Sequence, residues 1–471
     1  MNEAFEINGF WWLPETPQIQ IPGILSFSPG NILILKLMGE LTKTPKKYHL
    51  PTNFINPVLI HGKSSKGDFV TLYKCFQKSG DNSYGFGGGY CNTEFIAHVA
   101  FFGTHFSTQA DIQFISLSVR FHNLDNWYNK NLIQYGNPEP GTAVITFKRP
   151  APLDVQLSNF QVQFAVFERQ SLKMNNASVY ANAWVHIITE SQKSFDNYLS
   201  LIRLIQNFLT FAITEPTFVI ELNGRLTEII EPVEEKNTPP INIKIFYSAV
   251  GWQPDARDVF WADMLLPFSE NEKNLPDLLS AWQEKSETLK PVLDLYFAGF
   301  YRSTYPENEF INLTQAIETY HRKTYGGQYQ IDDVFLNGLY KILIAAIPPD
   351  ISSDFRSSLK NGKLRYAHEY TLKKRLLLLS EHISDNMSVN FLCDKQTQSA
   401  FAEKIADTRN YLTHYSHELK DRAITSGKEL FELNQQLGLI IKICLLEELG
   451  IPFDRIVALL KRDRSHQKYI A

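Results

Sequence analysis

The spacing of hydrophobic positions along this chain changes period partway through. Up to about Thr189, short apolar runs are punctuated by turn residues: Ile32 to Met38, Val58 to Ile60, Phe69 to Tyr73, Phe95 to Phe102, Ile112 to Phe121, Ala143 to Phe147, Val162 to Phe167 and Trp184 to Ile188. Alternation of apolar and polar residues marks strands with one buried face. Ile112 and Phe114 fall one residue out of step with Leu117, Val119 and Phe121, which predicts a bulge. Phe195, Tyr198, Leu199, Ile202, Ile205 and Leu209 then recur at three and four behind Ser194, predicting a capped helix. Thr217 to Tyr247 returns to strand-like text around a charged, proline-ended loop, Glu234 to Pro240, and Leu275 to Phe300 reads as a helical connector.

From Glu309 the period is helical almost throughout: Thr314 to Tyr325, Asp332 to Ile347, Leu364 to Ile383, Gln398 to about Lys420, Lys428 to Leu449 and Phe453 to Lys461. Val334, Phe335, Leu339, Leu343 and Ile347 form one apolar stripe and are expected in the core. The chain is therefore expected to be multidomain α+β. An antiparallel β-rich domain, sandwich- or barrel-like, spans 1–300, and an all-α bundle spans 310–465. At 471 residues, 44% of them hydrophobic, it can bury two cores.

Charge narrows the partners. Residues after 310 carry 22 Lys+Arg against 19 Asp+Glu and those before it 24 against 31, so the two parts differ in sign, near +3 and −7. Such a small basic excess excludes RNA binding by bulk charge and leaves room for a local contact. Cys75, Cys91, Cys393 and Cys444 have neither zinc-ribbon nor disulfide-framework spacing and read as free thiols. Met1 to Leu13 has no basic stretch ahead of an apolar one, and Leu437 to Leu449 is interrupted by charge, so a soluble, cytoplasmic protein with no membrane partner is expected. His61-Gly62-Lys63-Ser64 lacks the first glycine of a phosphate loop and reads as a hairpin turn. Gly85 to Tyr90 reads as a glycine-rich loop between strands, and Trp11, Trp12 and Trp184 as core aromatics.

One segment suggests chemistry. Arg409-Asn410-Tyr411-Leu412-Thr413-His414 places a permanently charged guanidinium and an imidazole in RxxxxH spacing, a pair suited to metal-free RNA cleavage. In a helix the two point roughly 140° apart and about 7.5 Å apart along the axis, while Asn410 is the i,i+4 neighbour of His414 and placed to orient it. That geometry makes most sense with a second copy across a two-fold axis. The bland alternative pairs Arg409 with Asp407 or Glu403 on a solvated helix face. A second match, Arg375 to His382, has leucines between and reads as a core helix.

A helical bundle with Arg409, the polar Asn410 and His414 on a late helix resembles the HEPN superfamily. The text Thr314 to Lys323 and the long β-rich region before it are similar, more narrowly, to the ApeA-like branch. The resemblance implies a dimeric, metal-independent endoribonuclease acting as toxin in anti-phage abortive infection, with catalytic Arg409 and His414. It also implies Asn410 and an early acidic residue, Glu318, as supporting groups, no cofactor and no metal. RNA, with tRNA loops among the candidates, is the implied substrate, and the N-terminal domain the implied sensor of a phage-derived trigger. Glu318 has a simpler alternative as an i,i+4 partner of Arg322. The competing class is a non-catalytic HEPN scaffold that binds RNA, a nucleotide or a protein.

Overall fold

The computed structural model describes residues 1, 3–41, 56–85, 88–226, 242–415 and 417–470. The chain forms two compact units, Met1–Gln283 and Glu284–Ala471. The Glu234 to Pro240 loop lies outside the described residues, as do Phe86 and Gly87; the rest of the stretch read as a glycine-rich loop is strand instead, Gly85 ending one and Gly88 to Tyr90 beginning the next.

The first unit is built from fourteen strands among the described residues: β1 (Phe5–Trp12), β2 (Ile21–Phe27), β3 (Leu33–Leu37), β4 (Leu59–Ser64), β5 (Phe69–Gly85), β6 (Gly88–Phe102), β7 (Gln113–Phe121), β8 (Ile133–Gly136), β9 (Val144–Phe147), β10 (Leu153–Gln156), β11 (Gln161–Lys173), β12 (Asn176–Ser194), β13 (Val219–Arg225) and β14 (Asn242–Tyr247). β1 pairs with β2 and β4, β2 with β3, β3 with β6, β6 with β5, and β5 with β4, all antiparallel, so six strands close a barrel without a free edge. The ring is filled by Trp11, Leu25, Leu35, Ile60, Leu72 and Phe95, each fully buried.

β6 also leads out of the ring. Its Thr93–Ala97 half pairs with β3 and its Val99–Phe102 half pairs with β14, which begins an antiparallel arm ordered β14-β13-β7-β12-β11-β10. α1 (Leu124–Tyr128) precedes the arm's outer strands, and α2 (Phe195–Ile213) packs on β7 and β12 with Tyr198, Ile202, Ile205 and Leu209 buried. The expected cap forms, as Ser194 Oγ accepts from Asn197 N–H at 3.3 Å. The slip read at Ile112 and Phe114 has its counterpart in the partner strand, where the pairing of β12 with β7 shifts register between Ile188 and Lys193.

Two readings need correction. His61 to Ser64 is not a hairpin turn but the body of β4, with Gly62 paired to Trp11 and Val70. A Cβ on Gly62 would lie 2.3 Å from the Trp11 ring, so the glycine is there to admit the indole; the turn itself comes later, at Gly67, whose φ is +93°. Trp11 and Trp12 are buried as expected, whereas Trp184 is half-buried beneath the Arg120 guanidinium, 5.8 Å from its ring.

The short α3 (Phe268–Asn271) and then α4 (Leu275–Thr288) close the first unit, and the division between units falls within α4. The second unit continues with α5 (Lys290–Tyr301), α6 (Pro306–Tyr325), α7 (Asp332–Asn337), α8 (Leu339–Ala345), α9 (Ser353–Ser358), α10 (Leu372–Asn386), α11 (Lys395–His414), α12 (Gly427–Glu448) and α13 (Phe453–Leu460). The expected boundary near 300 assigned α5 to the first domain, but α5 buries Val292, Leu293, Tyr296 and Phe297 and packs on α6. α6 packs on α12, and α10 on α11. No helix among the described residues is long and apolar enough to cross a membrane.

The helix expected over Asp332 to Ile347 is broken at Gly338 (φ −108°, ψ −103°), and the apolar stripe does not survive the break. Phe335 and Ile347 are buried, but Val334 is 54% and Leu339 47% exposed. A periodicity counted through a non-helical residue assigns the two halves to one face that they do not share. Likewise the helix expected from Leu364 begins only at Leu372, behind the Thr371 cap.

Candidate active site

α11 is fixed at its start by Asp394, whose carboxylate accepts from the backbone N–H groups of Gln396 and Thr397 at 2.8 and 2.9 Å. Its inner face buries Gln398, Phe401, Ala402, Ile405 and Thr408, and Thr408 Oγ1 accepts from Ile424 N–H at 3.0 Å, pinning the following chain. That stripe leaves Arg409 and Asn410 half-buried and His414 exposed. Helix α11 was expected to run to about Lys420; it stops at His414 because Tyr415 adopts left-handed backbone, φ +49°. His414 is therefore the last helical residue.

The structure brings Arg409 and Asn410 together, with Nη1 donating to Oδ1 at 3.2 Å. Asn410 was expected to orient His414; its amide oxygen turns to the guanidinium instead, because a charge-assisted bond is the stronger one. The His414 side chain makes no hydrogen bond among the described residues. The carboxylates that a solvated helix face would offer Arg409 are engaged elsewhere: Asp407 pairs with Arg422 at 2.6 Å, and Glu403 with Lys373 at 3.1 Å and Arg422 at 3.2 Å. Lys373 first, and then Arg422, hold the Glu403 carboxyl below its ordinary value. Arg409 thus has no carboxylate partner among the described residues.

Glu318 makes no hydrogen bond or ion pair with Arg409 or His414 among the described residues. It pairs with Arg322 one turn along α6 at 3.4 Å, and Arg322 also binds Glu369. Thr413 Oγ1 folds back onto the Arg409 carbonyl at 2.7 Å, and the Tyr411 and Tyr415 rings meet edge to face at 5.6 Å.

The Arg375 to His382 match behaves differently. α10 is a core helix, as read, but its arginine is the buried element: Arg375 is fully enclosed. Its guanidinium donates to the carbonyls of Tyr370 (3.1 Å), Gly326 (2.7 Å) and Gly327 (3.2 Å) and to His321 Nδ1 (3.1 Å). Burial and this neighbouring cation push His321 down to about 4, so its ring is neutral and accepts at Nδ1. His382 contacts the Glu447 carboxylate at 2.9 Å. Four of its five N–H groups have protein acceptors and the side chain has no exposed surface, which keeps it from a phosphate. Sequence reading missed this clasp; the positive-φ pair Gly326-Gly327 just past α6 was its one visible trace. Among the described residues no three His, Cys, Asp or Glu side chains converge as a metal-holding group.

Two family profiles match this chain. Residues 6–282 match ApeA N-terminal domain 1, and residues 311–455 match Apea-like HEPN. No match is found among curated proteins or solved structures.

Proposed function

Because this chain belongs to the ApeA-like HEPN family of anti-phage proteins, we propose that its helical unit is a metal-independent endoribonuclease, the effector of a defence response. The observation that supports this most is the contrast between its two arginine–histidine pairs: Arg375 is enclosed and bound by three backbone carbonyls and His321, whereas Arg409 has no carboxylate partner among the described residues and lies five residues from an exposed imidazole without a hydrogen bond. Arg409 binds the scissile phosphate and offsets the charge that builds on it. His414 takes the ribose 2′-OH proton or returns one to the departing 5′-oxygen. The 2′-oxygen bonds to phosphorus as the P–O5′ bond breaks, giving a 2′,3′-cyclic phosphate and a 5′-OH. DNA lacks that hydroxyl and is not cut.

Arg409 and His414 diverge around the helix, so one copy of α11 presents them on different sides. A two-fold dimer of the helical unit supplies a second pair to the same phosphate and divides the acid and base roles. Flexible tRNA loops are suitable targets because an unpaired phosphate reaches in-line geometry. The β-rich unit serves as the sensor of infection. Purified protein and its Arg409→Ala/His414→Ala variant, incubated with total RNA in excess EDTA, test the reading by mapping of product ends. Cyclic-phosphate ends made by the wild type alone are expected; cleavage by both proteins, or DNA cut as readily as RNA, overturns it.

A further inference from the structure

The residue after His414 is an aromatic one in an unusual setting. Tyr415 has left-handed backbone, φ +49° and ψ +36°, the conformation that ends α11. Glycine adopts it freely and asparagine tolerates it, whereas a bulky side chain there is strained. The other non-glycine residues with positive φ among the described residues, Lys74, Asn123, Asn129 and Thr214, all lie in the first unit, and none is aromatic. Strain at a bulky residue calls for a reason, and packing does not supply it, because Tyr415 is 68% exposed. Its one ring neighbour among the described residues is the half-buried Tyr411, one turn back, set at 63° to it. The phenol group makes no hydrogen bond among the described residues. Tyr415 is thus a ring propped along one side by a second tyrosine and otherwise open. Successive Cα atoms are about 3.8 Å apart, so a phosphate attended by His414 brings its flanking nucleoside within the sweep of that ring.

We propose that Tyr415 selects the substrate: its exposed ring stacks on an unpaired base flanking the scissile phosphate, which makes single-stranded RNA the class that this site takes. The inference rests on the nuclease reading for where the RNA lies. Every base has a π-face, so the ring recognises an unpaired nucleotide without reading its sequence. In a duplex that face is covered by the neighbouring base pair, and the ring has nothing to receive. Phenylalanine keeps the face and loses only a hydroxyl that no protein group uses. Leucine keeps the apolar bulk and loses the face.

Fluorescence anisotropy of the full chain with 2′-O-methyl RNA strands of about ten nucleotides tests it, because the blocked 2′-oxygen keeps every strand intact. The probes are homopolymers of each base, a strand of the same backbone without bases, and the homopolymers paired into duplex. Wild type is expected to bind at least one base-bearing single strand roughly tenfold more tightly than the baseless strand or the duplex. Tyr415→Leu is expected to remove that margin while binding the baseless strand as wild type does, and Tyr415→Phe to keep it. No binding by wild type, a margin that survives Tyr415→Leu, or a margin lost equally in Tyr415→Phe overturns the proposal. Equal weakening on all strands, with loss of the dimer in sedimentation, also overturns it and places the ring between two copies of the chain. Base-dependent binding that Tyr415→Leu removes, from a protein that cuts no RNA, supports the stacking and overturns only the nuclease reading.

Discussion

His414 is exposed and unbonded and Arg409 only half-buried, so their removal separates chemistry from folding. His414→Ala is expected to lower RNA cleavage by roughly 10²–10⁴-fold while changing stability by no more than about 0.5 kcal/mol; gel assay and urea unfolding on one preparation check both. His321 behaves in the opposite way. Its folded value near 4 lies below the ordinary 6.5, so the unfolded chain binds the extra proton, and stability is lost as pH falls from about 6.5 towards 4. Unfolding midpoints measured across that window should decline, and His321→Gln should flatten the decline. At this scale the sequence was legible only in part. Arg409, Asn410 and His414 were visible as a spacing, but spacing does not tell which of two arginines is buried; that depends on Gly326 and Gly327, just past the end of α6, presenting carbonyls to Arg375. Glu318 was equally readable as a surface partner of Arg322, and that is the contact it makes.

Elements were more legible than their joints. The strand text, the Ser194 cap and the late helices all correspond to observed elements, because alternation and helical periodicity are local properties. Failures came where a single backbone conformation decides: Gly338 splits one expected helix, and Tyr415 ends α11 well before Lys420. Two clasps join helices by buried charge. Arg375 ties α10 to the end of α6, and Gly327, with φ +94°, has room for no Cβ, since one would lie 2.6 Å from Arg375 Nη1. Arg375→Met strips the Gly326 and Tyr370 carbonyls of their donor, while Gly327 O still accepts from Tyr370 N–H, and is expected to cost about 2 kcal/mol or more; Arg375→Lys should recover little, lacking the fork. In the second clasp, Lys442 on α12 pairs with Asp463, which also meets His466 Nδ1 at 2.8 Å, all within the core. Asp463→Asn leaves Lys442 buried without its counter-charge, an expected loss of about 3–5 kcal/mol in denaturant unfolding.

At the scale of the molecule, the proposed two-fold site makes a prediction that no single-chain site shares. Arg409→Ala and His414→Ala proteins, each inactive alone, are expected to regain a measurable fraction of wild-type cleavage when mixed and allowed to exchange subunits, read as cyclic-phosphate product over time. Inactive mixtures with demonstrated exchange would place both groups of a site on one chain. The β-to-α division was plain from the change of period, but barrel closure was not, because the pairing of β1 with β4 and of β3 with β6 is set by register between distant segments. The double use of β6 has a further consequence, for the order of manufacture. The barrel's six strands are complete with β6, the arm waits on β14, and the unit they form ends at Gln283. A ribosome finishes that unit about 125 residues before it reaches Arg409, roughly 6–25 s at about 5–20 residues per second. Each newborn chain therefore owns the half proposed to listen before it owns the half proposed to cut.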